Sequence, residues 1–126
     1  MGHALPRTRA AARPAEVLTK ALLRASTRLG MTRRDLSRVI GVSEASASRI
    51  GRSRLVDPGT KEGELALLFL RLFRSLDALL GGNEEQCRAW FSASNQDLGG
   101  APAALVRTAA GLVHVTDHLD ALRGKA

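Results

Sequence analysis

Tyrosine is absent from this chain of 126 residues, and its other aromatics are Phe69, Phe73, Phe91 and Trp90. A core with so few rings must be mostly Leu, Ala and Val. That composition suits packed helices better than a sheet, where β-branched and aromatic side chains are favoured. No stretch alternates apolar and polar residues in the two-residue period of a half-buried strand. The single cysteine, Cys87, excludes an intrachain disulfide framework. No signal peptide is visible. The most apolar stretch, Glu64 to Leu80, is interrupted by Arg71, Arg74 and Asp77, too often for a membrane span of about 20 nearly uncharged residues. The expectation is an all-α, cytoplasmic protein, with room for one domain or two very small ones.

Acids are scarce in only one part of the chain. Residues 1–54 hold twelve Arg or Lys against Glu16, Asp35 and Glu44, a net +9, whereas residues 55–126 hold seven bases against nine acids, a net −2. A basic half is the electrostatic footprint of a nucleic-acid binder, because Arg and Lys displace the counterions condensed on phosphates.

Residues 1–14, with two prolines, three arginines and no apolar periodicity, read as a disordered basic arm. A first amphipathic helix follows over 15–29, with Leu18, Leu22 and Leu29 on one face and Gly30 as its stop. Thr32 with Asp35 three residues on has the spacing of a capping box, and Leu36, Val39 and Ile40 form the apolar face of a short second helix ended by Gly41. Ser43 caps a third, expected from Glu44 to about Arg52 with Ala47 and Ile50 inward. Short helix, Gly turn and Ser-capped short helix together have the shape of a helix-turn-helix over 15–56. The third helix would present Ser43, Glu44, Ala45, Ser46, Ser48 and Arg49 to a major groove. Arg49 would fork onto a guanine edge and Glu44 would accept from cytosine. Arg33, Arg34, Arg52 and Arg54 would hold phosphates and set the register.

Asp57-Pro58-Gly59 is a turn, Thr60 caps the central helix, and a second module is expected from 57 to 126. Gly81-Gly82 ends that helix and Asn83 caps the next, which carries Cys87, Trp90 and Phe91. After a Gly-rich loop, Pro102 opens a short helix over 102–110, which Gly111 is expected to break. Leu112, Val115, Leu119 and Leu122 then form the buried seam of a last helix. His114 and His118, four apart on that helix, have a zinc-compatible spacing but no third ligand at motif spacing. No catalytic constellation, metal site or cofactor site is expected, and the chain does not read as an enzyme.

The residues Leu36-Ser37, Gly41-Val42-Ser43 and Ser48-Arg49 resemble the phage-repressor (Xre) class of helix-turn-helix. Two positions depart from it: Arg33 where that class has Gln, and Ala47 where it has a larger apolar residue. Further on, Lys61-Glu62-Gly63-Glu64-Leu65-Ala66-Leu67, Arg74-Ser75-Leu76-Asp77-Ala78-Leu79, Trp90, Leu98-Gly99-Gly100, Arg107-Thr108, Gly111-Leu112 and Leu119-Asp120-Ala121 resemble the toxin-binding domain of Xre/ParS/MbcA antitoxins. That resemblance implies a partner, a RES-domain toxin encoded next door that consumes NAD or uses it for ADP-ribosylation. It also implies repression of the shared operon through operator DNA. The antitoxin's extreme C-terminus would enter the toxin's NAD cleft, which points to Leu122, Arg123, Gly124, Lys125 and Ala126, approached by His118 and Leu119. His118 stands where Tyr is expected in such proteins. A homodimer is implied too, with Leu68, Phe69, Leu72 and Phe73 as its candidate surface. From a different class, the competing reading is a free-standing regulator whose second module senses a small ligand.

Overall fold

The computed structural model describes residues 4–124, and side chains from Arg13 onward. Among the described residues there are seven helices and no strand: α1 (Ala4–Arg28), α2 (Arg33–Ile40), α3 (Glu44–Arg49), α4 (Lys61–Leu79), α5 (Glu84–Ser92), α6 (Pro102–Leu105) and α7 (Ala109–Leu122). The all-α expectation is met.

The helix starts follow local chemistry. Thr32 and Asp35 form the complete capping box, each side chain meeting the other's backbone N–H. Ser43, Thr60, Asn83 and Thr108 each accept from a backbone amide three residues on. Such caps matter for α2 and α3, which at eight and six residues are too short to persist alone. Gly41, at φ +73°, supplies the left-handed residue that ends α2, and the amides of Gly41 and Val42 both return to the Ser37 carbonyl.

Three boundaries differ from the sequence reading. α1 begins at Ala4 rather than Ala15, so residues 4–14 of the expected disordered arm are helical. The Ala- and Arg-rich run favours helix. Pro6 sits in the first turn, where no amide is needed, and Pro14 removes one internal hydrogen bond. Residues 1–3 lie outside the described residues. α3 stops at Arg49, not Arg52, because Gly51 turns left-handed (φ +89°) and the amides of Arg52, Ser53 and Arg54 gather on the Arg49 carbonyl. The break expected at Gly111 lies at 106–108, and Gly111 is inside the first turn of α7. A Cβ on Gly111 would stand 1.8 Å from the Leu105 carbonyl oxygen, so this glycine lets α6 and α7 meet without a gap.

α4 is the hub. It packs against α1, α2, α5 and α7, so the two halves share one hydrophobic cluster running from Leu18 to Leu119. Ala66, Phe69, Leu72 and Leu76 are completely buried along it, each large side chain contributing about 1.5–3 kcal/mol. The 57–60 turn lies directly on the helix start. Thr60 Oγ1 donates to the Asp57 carbonyl at 2.7 Å, and a Cβ on Gly63 would lie 2.0 Å from that same oxygen. The Val56 amide, buried, donates to Thr19 Oγ1 of α1 at 2.8 Å. No free linker separates the modules.

Candidate DNA- and protein-binding surfaces

The α2–turn–α3 unit leaves Glu44, Ala45, Ser48 and Arg49 exposed on one side, Ser46 half-buried beside them, and Ala47 and Ile50 in the core. Ser43 holds the α3 N-terminus through a 3.0 Å bond from the Ser46 amide, and the Ser48 hydroxyl donates to the Ala45 carbonyl at 2.8 Å. Arg34 Nε approaches Glu44 Oε2 at 3.7 Å across the turn, an exposed pair worth about 0.2–1 kcal/mol.

The arginines of the basic half divide into two kinds. Arg33 Nη1 donates to the carbonyls of Ala47 and Ile50, both at 2.8 Å. These are carbonyls at the α3 C-terminus, so Arg33 binds the third helix to the second instead of standing free over the surface. Arg54 is ion-paired with Glu62 of α4, both side chains largely shielded from water. The role of phosphate holder assigned to both from sequence needs free guanidinium groups; Arg33 is partly engaged and Arg54 is held inside the fold. Arg49 and Arg38 have side chains without a hydrogen-bond or ion-pair partner among the described residues, and Arg52 makes a single 3.5 Å contact to its own Ser48 carbonyl. Arg38 was not picked out from sequence. Its position one helical turn after Arg34 would have placed the two on one face.

At the other end of the molecule, α7 lies on α4 through a polar cluster. Arg71 and Ser75 of α4 both reach Asp120, the Ser75 hydroxyl donating at 2.9 Å, and Arg123 Nη1 donates to that hydroxyl at 3.3 Å. The hydroxyl of fully buried Ser75 is therefore satisfied on both sides, which a buried polar group requires. Beyond it Leu122 is 55% exposed, and Gly124 turns left-handed as its amide meets the Ala121 carbonyl at 3.1 Å.

These two surfaces coincide with two family models. The antitoxin Xre-like helix-turn-helix domain matches residues 8–71, and the antitoxin Xre/MbcA/ParS C-terminal toxin-binding domain matches residues 75–125. The chain belongs to the Xre/MbcA/ParS-type antitoxins. No curated protein matches it. The two matches meet inside α4, so most of this helix falls with the DNA-reading half of the antitoxin and its last turns with the toxin-binding half.

The antitoxin's expected toxin contacts are placed unevenly. Leu122, Arg123 and Gly124 are exposed, and Lys125 and Ala126 lie outside the described residues. Leu119 is completely buried and belongs to the core. It follows Leu112 and Val115 along the seam facing α4, so it is not offered to a partner. His118 is half-buried, its ring stacked on Trp90 of α5 at 6.5 Å between centroids and 18° between planes. His114 Nε2 lies 3.3 Å from the Leu98 carbonyl. The two histidines thus face different neighbours, and no group of three or more metal-binding side chains occurs among the described residues.

The expected dimer surface also changes. Phe69 and Leu72 are 0% exposed, buried in this chain's own core. Phe73 is covered by the Arg28 guanidinium, 5.9 Å above its ring, which also pairs with Asp77 and Glu84. Leu68 is half-buried against the same core. An apolar run on all sides of a helix carries no phase with which to separate core from interface. Cys87 is buried as well, and burial, reinforced by the nearby Asp77 carboxylate, pushes its thiol above the ordinary range. That is the opposite of what a reactive thiolate needs. Among the described residues no helix is long and apolar enough to cross a membrane.

Proposed function

We propose that this antitoxin neutralises an NAD-using RES-domain toxin by inserting its C-terminal tail, from Leu122 onward, into the toxin's active-site cleft, and that its helix-turn-helix represses its own operon. The observation that carries the reading is the exit of α7. The helix is fixed to α4 up to Asp120 and Arg123, then presents Leu122 and Gly124 to solvent at the end of a segment that matches a toxin-binding family model. A rigid helix delivering a short exposed end loses little conformational freedom on insertion. The choice of a RES-domain partner rests on the resemblance of the second half to antitoxins of that kind.

On the DNA side, Arg49 reads a guanine edge, with Glu44, Ala45 and Ser48 beside it in the groove. Arg34, Arg38 and Arg52 hold phosphates. Half-sites one helical turn apart require two reading heads, so the repressing species is a homodimer. Its contact surface lies outside Phe69 and Leu72.

The test is co-expression with the product of the adjacent toxin gene, purification of the complex, and an assay of NAD consumption. Intact antitoxin is expected to abolish NAD use. Removal of residues 122–126 is expected to restore NAD use while duplex-DNA binding stays unchanged. Full neutralisation by the truncated chain refutes tail insertion.

A further inference from the structure

A trough of ≈ 650 Å³ runs between α1 and α4, lined by none of the α3 residues. Its floor is Leu18, Ala21 and Leu70, and its rims carry Val17, 62% exposed, and Leu67, 48% exposed. At one end it shares Leu67, Leu70 and Arg74 with a second basin of ≈ 420 Å³ that reaches Arg71, Asp120 and Arg123. Val17 and Leu67, two large aliphatic side chains, thus stand in water on either side of an apolar floor.

The charge around this face restricts its occupant. Arg13 and Arg74 line the trough, and neither has a hydrogen-bond or ion-pair partner among the described residues. Among the residues lining the two basins the one acid is Asp120, and it is already held by Arg71 and Ser75. A second copy docking the same face would add two more unpaired arginines to it and bring no free carboxylate from the lining to meet them. A DNA backbone would satisfy the arginines but leave Val17, Leu67 and the apolar floor with nothing to bury against. An amphipathic helix with an apolar stripe and an acidic margin satisfies both: its stripe fills the trough, and its carboxylates meet the Arg13 and Arg74 forks.

We propose that this face is a second docking site for the toxin, taking an acidic amphipathic helix of that protein. The proposal rests on the toxin-binding reading above and adds a consequence to it. The α1 and α4 residues that line the trough lie within the segment matched by the helix-turn-helix model, Arg74 excepted, so a toxin seated there touches the DNA-reading half directly.

The experiment measures the affinity of the purified full-length antitoxin for its co-encoded toxin over a range of salt, alongside duplex-DNA binding, oligomeric state and thermal melting. Leu67→Glu/Arg74→Glu is expected to weaken toxin binding at least 100-fold and to flatten its salt dependence, with melting, oligomeric state and DNA binding unchanged. Arg74→Gln, which keeps most of the aliphatic stem, is expected to weaken toxin binding about tenfold through charge alone. Unchanged toxin affinity in both variants overturns the proposal. So does loss of DNA binding or of dimer with toxin affinity retained, which would assign the face to nucleic acid or to a second copy. Absence of any complex with the unmodified antitoxin would instead overturn the functional reading beneath it.

Discussion

Replacing Arg33 by alanine separates a structural arginine from a phosphate-binding one. In the folded chain Arg33 Nη1 donates to two carbonyls at the α3 C-terminus, Ala47 and Ile50, each at 2.8 Å. A hydrogen bond involving a charged group contributes about 1.5–3 kcal/mol when shielded. Arg33 is exposed along much of its length, so water replaces part of what is lost, and the two bonds together are worth about 1–2 kcal/mol. For a chain of this size about 4 °C accompanies each kcal/mol, giving an expected fall in Tm of about 4–8 °C. The assay pairs calorimetry with fluorescence anisotropy on an arbitrary DNA duplex at several salt concentrations. Each phosphate contact contributes about 0.9 to the slope of log K against log salt. Arg33→Ala should leave that slope nearly unchanged, whereas Arg52→Ala should lower it by about one and leave Tm where it was. An unaltered Tm in Arg33→Ala with a slope reduced by one would refute the structural assignment and return Arg33 to the phosphate-binding set.

Three further outcomes follow from the packing. Gly111→Ala must displace the backbone, because its Cβ would lie 1.8 Å from the Leu105 oxygen; a loss above about 2 kcal/mol is expected in urea unfolding, and a loss below 0.5 would show that α6 moves freely. Asp120→Ala removes the acceptor of the buried Ser75 hydroxyl and the partner of Arg71, with an expected cost of about 1–3 kcal/mol measured the same way. Cys87 should resist a thiol reagent at pH 8 until denaturant is added. Its folded pKa is raised above the ordinary 9.0, so the unfolded chain loses the proton first and stability declines as pH rises through 9 and beyond. Cys87→Ser should remove that part of the decline.

Much of the architecture is legible in the sequence where the determinant is local. Thr32 with Asp35, Ser43, Thr60 and Asn83 are caps within three residues of their targets, and each is found in place. Gly41 is readable for the same reason. The end of α3 was not, since the carbonyl of Arg49 collects three amides only once Gly51 has turned left-handed. Gly111 looked like a helix breaker; it is a glycine because of an oxygen that belongs to another helix. On α4 the difficulty is of a different kind. Leu68, Phe69, Leu72 and Phe73 are equally apolar in the sequence, and it takes the assembled core to bury Phe69 and Leu72 completely and Arg28 to roof Phe73. The site residues divide in the same manner. Arg49 and Ser48 are exposed as a helix face predicts, whereas the partners of Arg33 lie fourteen and seventeen residues away and that of Arg54 on another helix.

The meeting of the two family models within α4 has a consequence for how such a chain can be recombined. The turn between Arg71 and Ser75 is uninterrupted helix, with Leu72 fully buried on it. Inserting or deleting a single residue there would rotate everything beyond by about 100° relative to everything before. Ser75 would leave Asp120, and Leu76 would leave the core it shares with α7. A hybrid built from two such proteins must therefore preserve the length of this helix to the residue. The helix serves as a phase reference, fixing the azimuth at which the C-terminal end emerges relative to the exposed face of α3.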